Sequence, residues 1–411
     1  MTDDRRELPL AGLRVVELGN YIAAPTAGRL LADVGADVVK VERPRTGDEL
    51  RQWRLHAGET SLLYRTLNRG KRSIVLDLRT EAGQDVVLDL VRHSDALLEN
   101  FRPGTLDRWG LSAERLQAAN PDLVVARVSA FGQTGPLAPR PGFAAVAEAH
   151  GGLRALVGEP DRPPSRTGVS IGDSIAGLYA AFGVVTSLLQ RDRRAATGRA
   201  PLGPVHQHVD VALNEAVLSV MESLLPDHSA HGVTRRRVGG RMEGIAPTNA
   251  YACRDGEVVI AGNGDAIFAR FMAAIDRPDL AADPALQTNP ARWTRRDELD
   301  AAIGEWTGTR TRAEVLTVLD GAGVPAGPIH EAADILADEQ FAARGMVQHL
   351  TVDAGNGPQE VAFPGIVPLF GPTSLPVRSL GPDLGQHTRE VLGDVLGWDG
   401  PRIEEFLEAQ E

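Results

Sequence analysis

Apolar and polar positions alternate along the first 210 residues in a repeating order of short strand, helix, short strand. Leu13 to Gly19 reads as a strand ending at a glycine, Thr26 to Val34 as a helix, and Ala36 to Glu42 as a second strand closed by Arg43 and Pro44. Such a sequence is a βαβ unit, the building block of a parallel sheet. The alternation continues through Asn68 to Arg79, a basic turn entering a strand, and a helix over Glu81 to Arg92. A strand over Ala96 to Glu99 then delivers Asn100 to Gly104, followed by helices over Thr105 to Trp109 and Ala113 to Ala119 and a strand over Asp122 to Val128. Ser129 to Phe143 is a long loop rich in Gly and Pro, with Arg140 near its end.

The extended run Thr167 to Ile171 gives way to an apolar stretch, Ile175 to Leu189, which reads as a buried helix too short for a membrane span. An Arg- and Ala-rich hinge over Arg191 to Gly203, a strand over His206 to Val211 and a helix over Leu213 to Leu224 come next. Beyond a basic loop, Arg235 to Arg241, the pattern changes. Asn249 to Ala261 reads as a hairpin around Asp255-Gly256, helices carry Trp293, Leu299, Ile303 and Trp306, and another helix starts at Ala313. Pro325 to Ile329 is an extended return, and helices over Thr388 to Leu396 and Ile403 to Gln410 close the chain. The expected domains are residues 1–210 and 321–411 (linker and C-terminal part) for a large one, 211–229 as linker and 230–320 for a smaller one.

Composition narrows the chemistry. A formal charge of −12 over 411 residues argues against nucleic-acid or anionic-membrane partners, so any phosphate-bearing ligand needs a local basic cluster. Cys253, the single cysteine, leaves no intrachain disulfide or thiolate metal site, and with an N-terminus lacking an apolar signal core it points to the reducing cytoplasm. His206 and His208 alternate as metal ligands would, but no acidic or third histidine partner follows, and no metal is expected. Glycine-turn geometry at Gly19 with Glu42 invites a dinucleotide site. The second and third glycines are missing, and Pro25 stands where open N–H groups are needed.

Asp173 is the most informative polar residue. It lies where the extended run becomes the apolar helix, so its carboxylate meets a helix N-terminus and stays ionised. An ionised carboxylate there caps a helix or serves as a nucleophile toward an acyl group. Glycines at 168, 172 and 177 thin the chain around it, as a ligand would need and a cap would not.

Eight stretches resemble segments found in the same order in the class III CoA-transferases. They are Leu10 to Leu18, Gly35 to Glu42, Asn68 to Leu78, Glu99 to Gly104, Phe131 to Pro136, Gly172 to Gly177, Val209 to Leu213 and Gly385 to Thr388. The resemblance implies an α/β fold with a Rossmann-like large domain built from both chain ends, a smaller α+β domain from the middle, and an interlocked, ring-like homodimer. It implies that Asp173 takes the acyl group of a CoA thioester as an anhydride and then carries CoA as a thioester, with no permanently bound cofactor. Ile22, Arg43, Leu76, Arg79, Asn100, Phe101, Arg108 and Arg140 would meet coenzyme A.

Met221 to Pro226, Gly244 to Asn249 and Gly262 to Phe268 look like the branch that pairs succinyl-CoA with dicarboxylic acids. A second carboxylate would want an arginine fork from Arg235, Arg236, Arg237 or Arg241, beside Gly240. Two features depart from the family. Ala144 stands where many relatives have an acid, and the glycine run that shields the intermediate in formyl-CoA transferase has only Gly239-Gly240 and Gly262-Asn-Gly264 as candidates. The competing readings are an α-methylacyl-CoA racemase of the same fold, with His150 seven positions past the expected histidine, and a non-catalytic CoA-binding protein.

Overall fold

The structure, a computed structural model, describes residues 7–200, 208–353, 357–371 and 374–409. The chain divides into two compact units. The first comprises residues 1–153, 168–221 and 339–411, the second residues 154–167 and 222–338.

A six-stranded sheet organises the first unit: β1 (Arg14–Glu17), β2 (Asp37–Glu42), β3 (Arg72–Val75), β4 (Ala96–Glu99), β5 (Val124–Ser129) and β6 (His208–Ala212). Their order is β3-β2-β1-β4-β5-β6, every pair parallel, so the winding direction reverses between β1 and β4. In open α/β sheets ligands bind past the strand ends at that reversal. His206, the first histidine of the alternating pair, lies outside the described residues, as do residues 201–207 generally; His208 opens β6.

Both faces of the sheet are covered, which is why its central strands carry adjacent apolar residues that point to opposite faces. Val15, Val38, Ala96, Leu98 and Val124 belong to the core beneath α1 (Ala23–Asp33). Val16, Val39, Leu97 and Val125 face the other way, onto α2 (Glu81–Arg92), α3 (Ala113–Ala119) and the tail helices. α4 (Ala144–His150), α5 (Ile171–Ala196) and α6 (Leu213–Leu218) complete the first face.

α5 differs from its sequence expectation in two ways. It runs 26 residues, to Ala196 and so into the stretch read as a hinge, because Arg and Ala favour the helix they extend. It is also only half buried. Ala176, Ala180, Val184 and Leu188 face inward, whereas Leu178 is 56% exposed, Phe182 67% and Leu189 50%. Among the described residues it alone is long and apolar enough, by length and composition, to cross a membrane.

In the second unit, β7 (Thr248–Cys253) and β8 (Gly256–Ala261) form the expected hairpin, and β9 (Ala326–Pro328) adds antiparallel to β8. α7 (Asp265–Ala274), α8 (Arg296–Gly308) and α9 (Arg312–Gly321) close a core around Phe268, Phe271, Ile303 and Leu319. Back in the first unit, a second hairpin joins β10 (Val347–Asp353) to β11 (Pro358–Pro364), and α10 (Thr388–Asp394) and α11 (Gly400–Glu408) pack on the sheet; Gln410 lies outside the described residues.

Candidate active site

Asp173 occupies the first turn of α5, three residues beyond the N-cap Ser170, and is half buried. It is therefore not the cap itself but lies within the first turn, where the helix dipole favours its charge. The glycines around it do different work from one another. A Cβ at Gly168 would meet open space, whereas one at Gly172 would lie 3.1 Å from Glu148 Cγ. One at Gly177 would lie 2.7 Å from the Ala23 carbonyl oxygen and 2.8 Å from Thr26 Cβ. Gly172 and Gly177 thus serve close packing against α4 and α1, and only Gly168 leaves room. Because Gly177 follows Asp173 by one helical turn, the face that bears Asp173 is the face that meets the start of α1.

Ala144 is buried at the start of α4. One turn later on the same helix Glu148 is fully buried, and its Oε1 accepts from the Gly172 N–H at 3.4 Å. His150 ends α4 with its ring against Phe131 at 5.5 Å and Nδ1 3.3 Å from Asn214 Nδ2.

At the reversal point the turns after β1 and β4 are tied together. Asn100 Oδ1 accepts from the Asn20 N–H at 2.8 Å, and Asn100 Nδ2 donates to the Asn20 carbonyl at 2.7 Å. Next to this pair opens a cleft of about 660 Å³, lined by Tyr21, Arg43, Arg45, Leu76, Arg79, Phe101 and Trp109 among others. Four residues expected from the sequence meet there: Arg43, Leu76, Arg79 and Phe101. Asn100 flanks it through Asn20, and Ile22 is buried beneath the same turn, against Leu50 and Tyr64. Arg108 and Arg140 do not line it. Arg108 donates to Thr105 Oγ1 at 2.8 Å, and Arg140 closes a turn onto Leu137 O.

Sequence reasoning missed Arg45, Trp109 and Tyr21. Arg45 has φ +64 and makes no ion pair among the described residues. Arg43 is held by the Gly47 carbonyl and Glu49, and Arg79 by Asp77, whose carboxyl the Arg79 hydrogen bonds keep below its usual range. A signal was available in the repeated arginine of Arg43-Pro44-Arg45, since both side chains flank one turn past a strand. Phe101 and Trp109 meet edge to face at 5.0 Å, offering an apolar floor beside the guanidinium groups.

Buried charges underlie the cleft. Glu17 on β1 faces Lys40 on β2 across the ladder, with Lys40 Nζ 3.0 Å from Glu17 Oε1 and 2.9 Å from Asp48 Oδ2. Lys71 Nζ lies 2.7 Å from Glu17 Oε2, and burial brings its pKa down to about 8. Two residues along β2, Glu42 takes Arg51 in a two-pronged pair at 2.6 and 2.8 Å, with Tyr64 Oη and Ser73 Oγ on its Oε1. Burial alone would raise the Glu42 pKa, but the Arg51 bonds and the Lys40 charge hold it down at about 2.

In the second unit most of the arginine loop is committed. Arg235 pairs with Glu222 and Asp227, Arg237 donates to the carbonyls of Glu159 and Arg162, and Arg241 is clasped by Asp297 and Asp300. Gly240 abuts Asn249, and Gly262 abuts the Phe271 ring. Arg236 is exposed, with no side-chain partner among the described residues.

The comparisons with known proteins agree over nearly the whole chain. The model of CoA-transferase family III matches residues 10–388. The chain is 44% identical to a succinyl-CoA–D-citramalate CoA-transferase of Chloroflexus aurantiacus, covering 97% of this chain and 96% of that one. It is 38% identical to the beta subunit of a succinyl-CoA–L-malate CoA-transferase of the same organism (97% and 97%). Identity to a succinate–glutarate CoA-transferase of Agrobacterium fabrum is 34% (96% and 98%). Among solved structures, a CAIB/BAIF family protein from Brucella suis superimposes with a TM-score of 0.81 at 36% identity, over 94% of this chain and 99% of that one. A parallel sheet reversing beside a basic cleft, an aspartate on the first turn of a glycine-fitted helix, and these matches have one common explanation: the chain belongs to CoA-transferase family III and is a CoA-transferase.

Proposed function

We propose that the protein moves CoA from succinyl-CoA to a dicarboxylic acid, with Asp173 as the covalent carrier. The observation that carries this reading is the place of Asp173, on the first turn of α5 in the same unit as the three-arginine cleft. The named activities of the relatives supply donor and acceptor class. A carboxylate oxygen of Asp173 attacks the thioester carbon; the C–S bond breaks, CoA leaves as thiolate, and a succinyl-aspartyl anhydride remains. The thiolate then attacks the aspartyl carbonyl, succinate departs, and an aspartyl-CoA thioester forms. An acceptor carboxylate displaces the thiolate to give a second anhydride. Attack by the thiolate on the acceptor's carbonyl then releases the new acyl-CoA and restores Asp173. No permanently bound cofactor enters any step.

In this reading Arg43, Arg45 and Arg79 face the phosphates of CoA, Phe101 and Trp109 face its base, and Ile22 lies under the turn nearest the thioester. Guanidinium groups match phosphate geometry, which lets an acidic protein hold a polyanion locally. We further propose a cytoplasmic homodimer, interlocked as the family resemblance implies. The outward apolar stripe of α5 (Leu178, Tyr179, Phe182, Val185 and Leu189) supports burial against a second copy. Light scattering that finds a monomer sinks that part.

The chemical test is to mix enzyme with succinyl-CoA and a panel of mass-shifted acids, then repeat with Asp173→Ala. Transfer to a dicarboxylate and its loss in the variant are expected. Borohydride trapping during turnover should modify Asp173, and a modification elsewhere overturns the proposal.

A further inference from the structure

Asp48 takes no part in the steps above, yet it is a fully buried charge beneath the cleft. Its Oδ1 accepts from the N–H groups of Tyr21 at 3.1 Å and Leu50 at 2.9 Å, and its Oδ2 faces Lys40 Nζ at 2.9 Å. Its own N–H donates to Glu42 Oε2 at 3.0 Å. A buried ion pair is weak evidence for stability, since desolvation offsets most of the attraction; fixing one conformation is the better account of it.

The conformation it fixes is the turn after β1. Lys40 Nζ donates to the Gly19 carbonyl at 2.6 Å, Asn100 takes both backbone groups of Asn20, and Asp48 takes the Tyr21 N–H. Tyr21 has φ +62, a region that bulky residues avoid and that persists only when the surroundings impose it. The strain places an aromatic ring. Tyr21 lines the cleft, its centroid 5.5 Å from Trp53 and 5.7 Å from Phe143. The short helix Glu49–Gln52 that leads into Trp53 is capped by the same Asp48 carboxylate. One buried group therefore sets two of the three rings.

We propose that Asp48 is a positioning residue for the acyl-CoA substrate: acting through Tyr21, it holds an aromatic wall of Tyr21, Trp53 and Phe143 beside the cleft. The proposal rests on the reading of that cleft as the CoA site. Asp48 touches no substrate, so its loss weakens binding shared by ground and transition states, which raises KM and leaves kcat.

The experiment is a double-mutant cycle on the full-length enzyme: wild type, Asp48→Ala, Tyr21→Gly and the pair, with Asp48→Asn as conservative variant. KM and kcat for succinyl-CoA, Kd for CoA by calorimetry and Tm are measured on each. Asp48→Ala should raise KM and Kd about ten-fold with kcat within about two-fold, and Asp48→Asn, which keeps an acceptor for the two N–H groups, should recover part of the loss. Glycine adopts the Tyr21 conformation unaided and carries no ring, so in the Tyr21→Gly background the Asp48 change should move KM less than about two-fold. Where Asp48→Ala does not fold, the same cycle is run on Asp48→Asn. An Asp48 effect on KM that is absent, or equal in both backgrounds, overturns the proposal; an equal effect with lowered Tm assigns Asp48 to stability alone. A wild-type protein that neither binds CoA nor transfers it overturns the CoA reading as well, whereas an active wild type with an additive cycle overturns the positioning role only.

Discussion

One methyl group at position 177 tests how closely the helix of Asp173 is fitted to its neighbour. In Gly177→Ala the new Cβ would lie 2.7 Å from the Ala23 carbonyl oxygen and 2.8 Å from Thr26 Cβ, closer than real Cβ contacts come. Both obstacles belong to α1, which is itself packed on the sheet, so α5 must shift. Overpacking of this kind costs about 1–3 kcal/mol, and alanine returns about 1 kcal/mol of helix propensity, leaving a net loss of up to about 2 kcal/mol. For a domain of this size that lowers Tm by up to about 8 °C. Asp173 sits one turn away on the shifted face, and misplacement of a reacting group by about 1 Å costs on the order of 100-fold in rate. The control is Gly304→Ala in α8, where a Cβ meets nothing within 4 Å. There the propensity gain acts alone and should stabilise by up to about 1 kcal/mol. Urea denaturation and kcat with succinyl-CoA measure both. Equal stability changes at the two glycines refute the packing argument; a destabilised Gly177→Ala with full kcat refutes the link to Asp173.

Three further outcomes are expected. Arg51→Met leaves the Glu42 carboxylate buried without its strongest partner and should destabilise by about 3–5 kcal/mol in urea titrations, while a loss below about 1 kcal/mol would mean that Ser73, Tyr64 and Lys40 suffice. Glu99 has its pKa raised from 4.5 to about 7 chiefly by burial, so between those values the folded chain holds a proton that the unfolded chain has lost. Stability should therefore fall as pH rises across that window, Glu99→Gln should flatten the fall, and an unchanged slope in the variant counts against the assignment. Arg236→Ala should raise KM for a dicarboxylate acceptor about ten-fold and leave a monocarboxylate unaffected, because Arg235, Arg237 and Arg241 are already engaged. Equal effects on the two acids would remove Arg236 from acceptor recognition.

The parallel sheet was legible because burial on both faces demands apolar runs such as Val38-Val39 and Leu97-Leu98, and no other element combines those runs with intervening amphipathic helices. The hairpin of β7 and β8 was legible from its Asp255-Gly256 turn. Legibility failed where long-range contacts decide. α5 extends past Leu189 because propensity alone rules its exposed end, and its outward apolar residues break the buried pattern expected of it. The run over Leu213 to Leu224 looks like one helix, yet it stops at Leu218, and Glu222 turns to φ +53 before a new helix starts at Leu224. The hairpin of β10 and β11 is marked by Asn356-Gly357, a turn dipeptide between two alternating runs, and this signal the sequence reasoning missed.

The candidate site divides along the same line. Asp173, Arg43, Arg79 and Phe101 stand beside local features, a helix start or a strand end, that a one-dimensional pattern displays. Lys40 and Glu42 look like the polar half of an alternating strand, which predicts solvent; they are buried because Asp48 and Arg51, eight and nine residues onward, fold back as their counter-ions. Nothing in the spacing of those four residues separates a surface zigzag from an internal network, since the difference lies in whether α1 and the Tyr64 helix cover them. The strain at Tyr21 is a consequence of that cover. A buried carboxylate needs donors, the nearest donors on the turn are backbone N–H groups, and supplying one of them forces a bulky residue into the left-handed region. The charge network and the shape of the cleft are thus one structural decision, made by pairs of residues too far apart for periodicity to register.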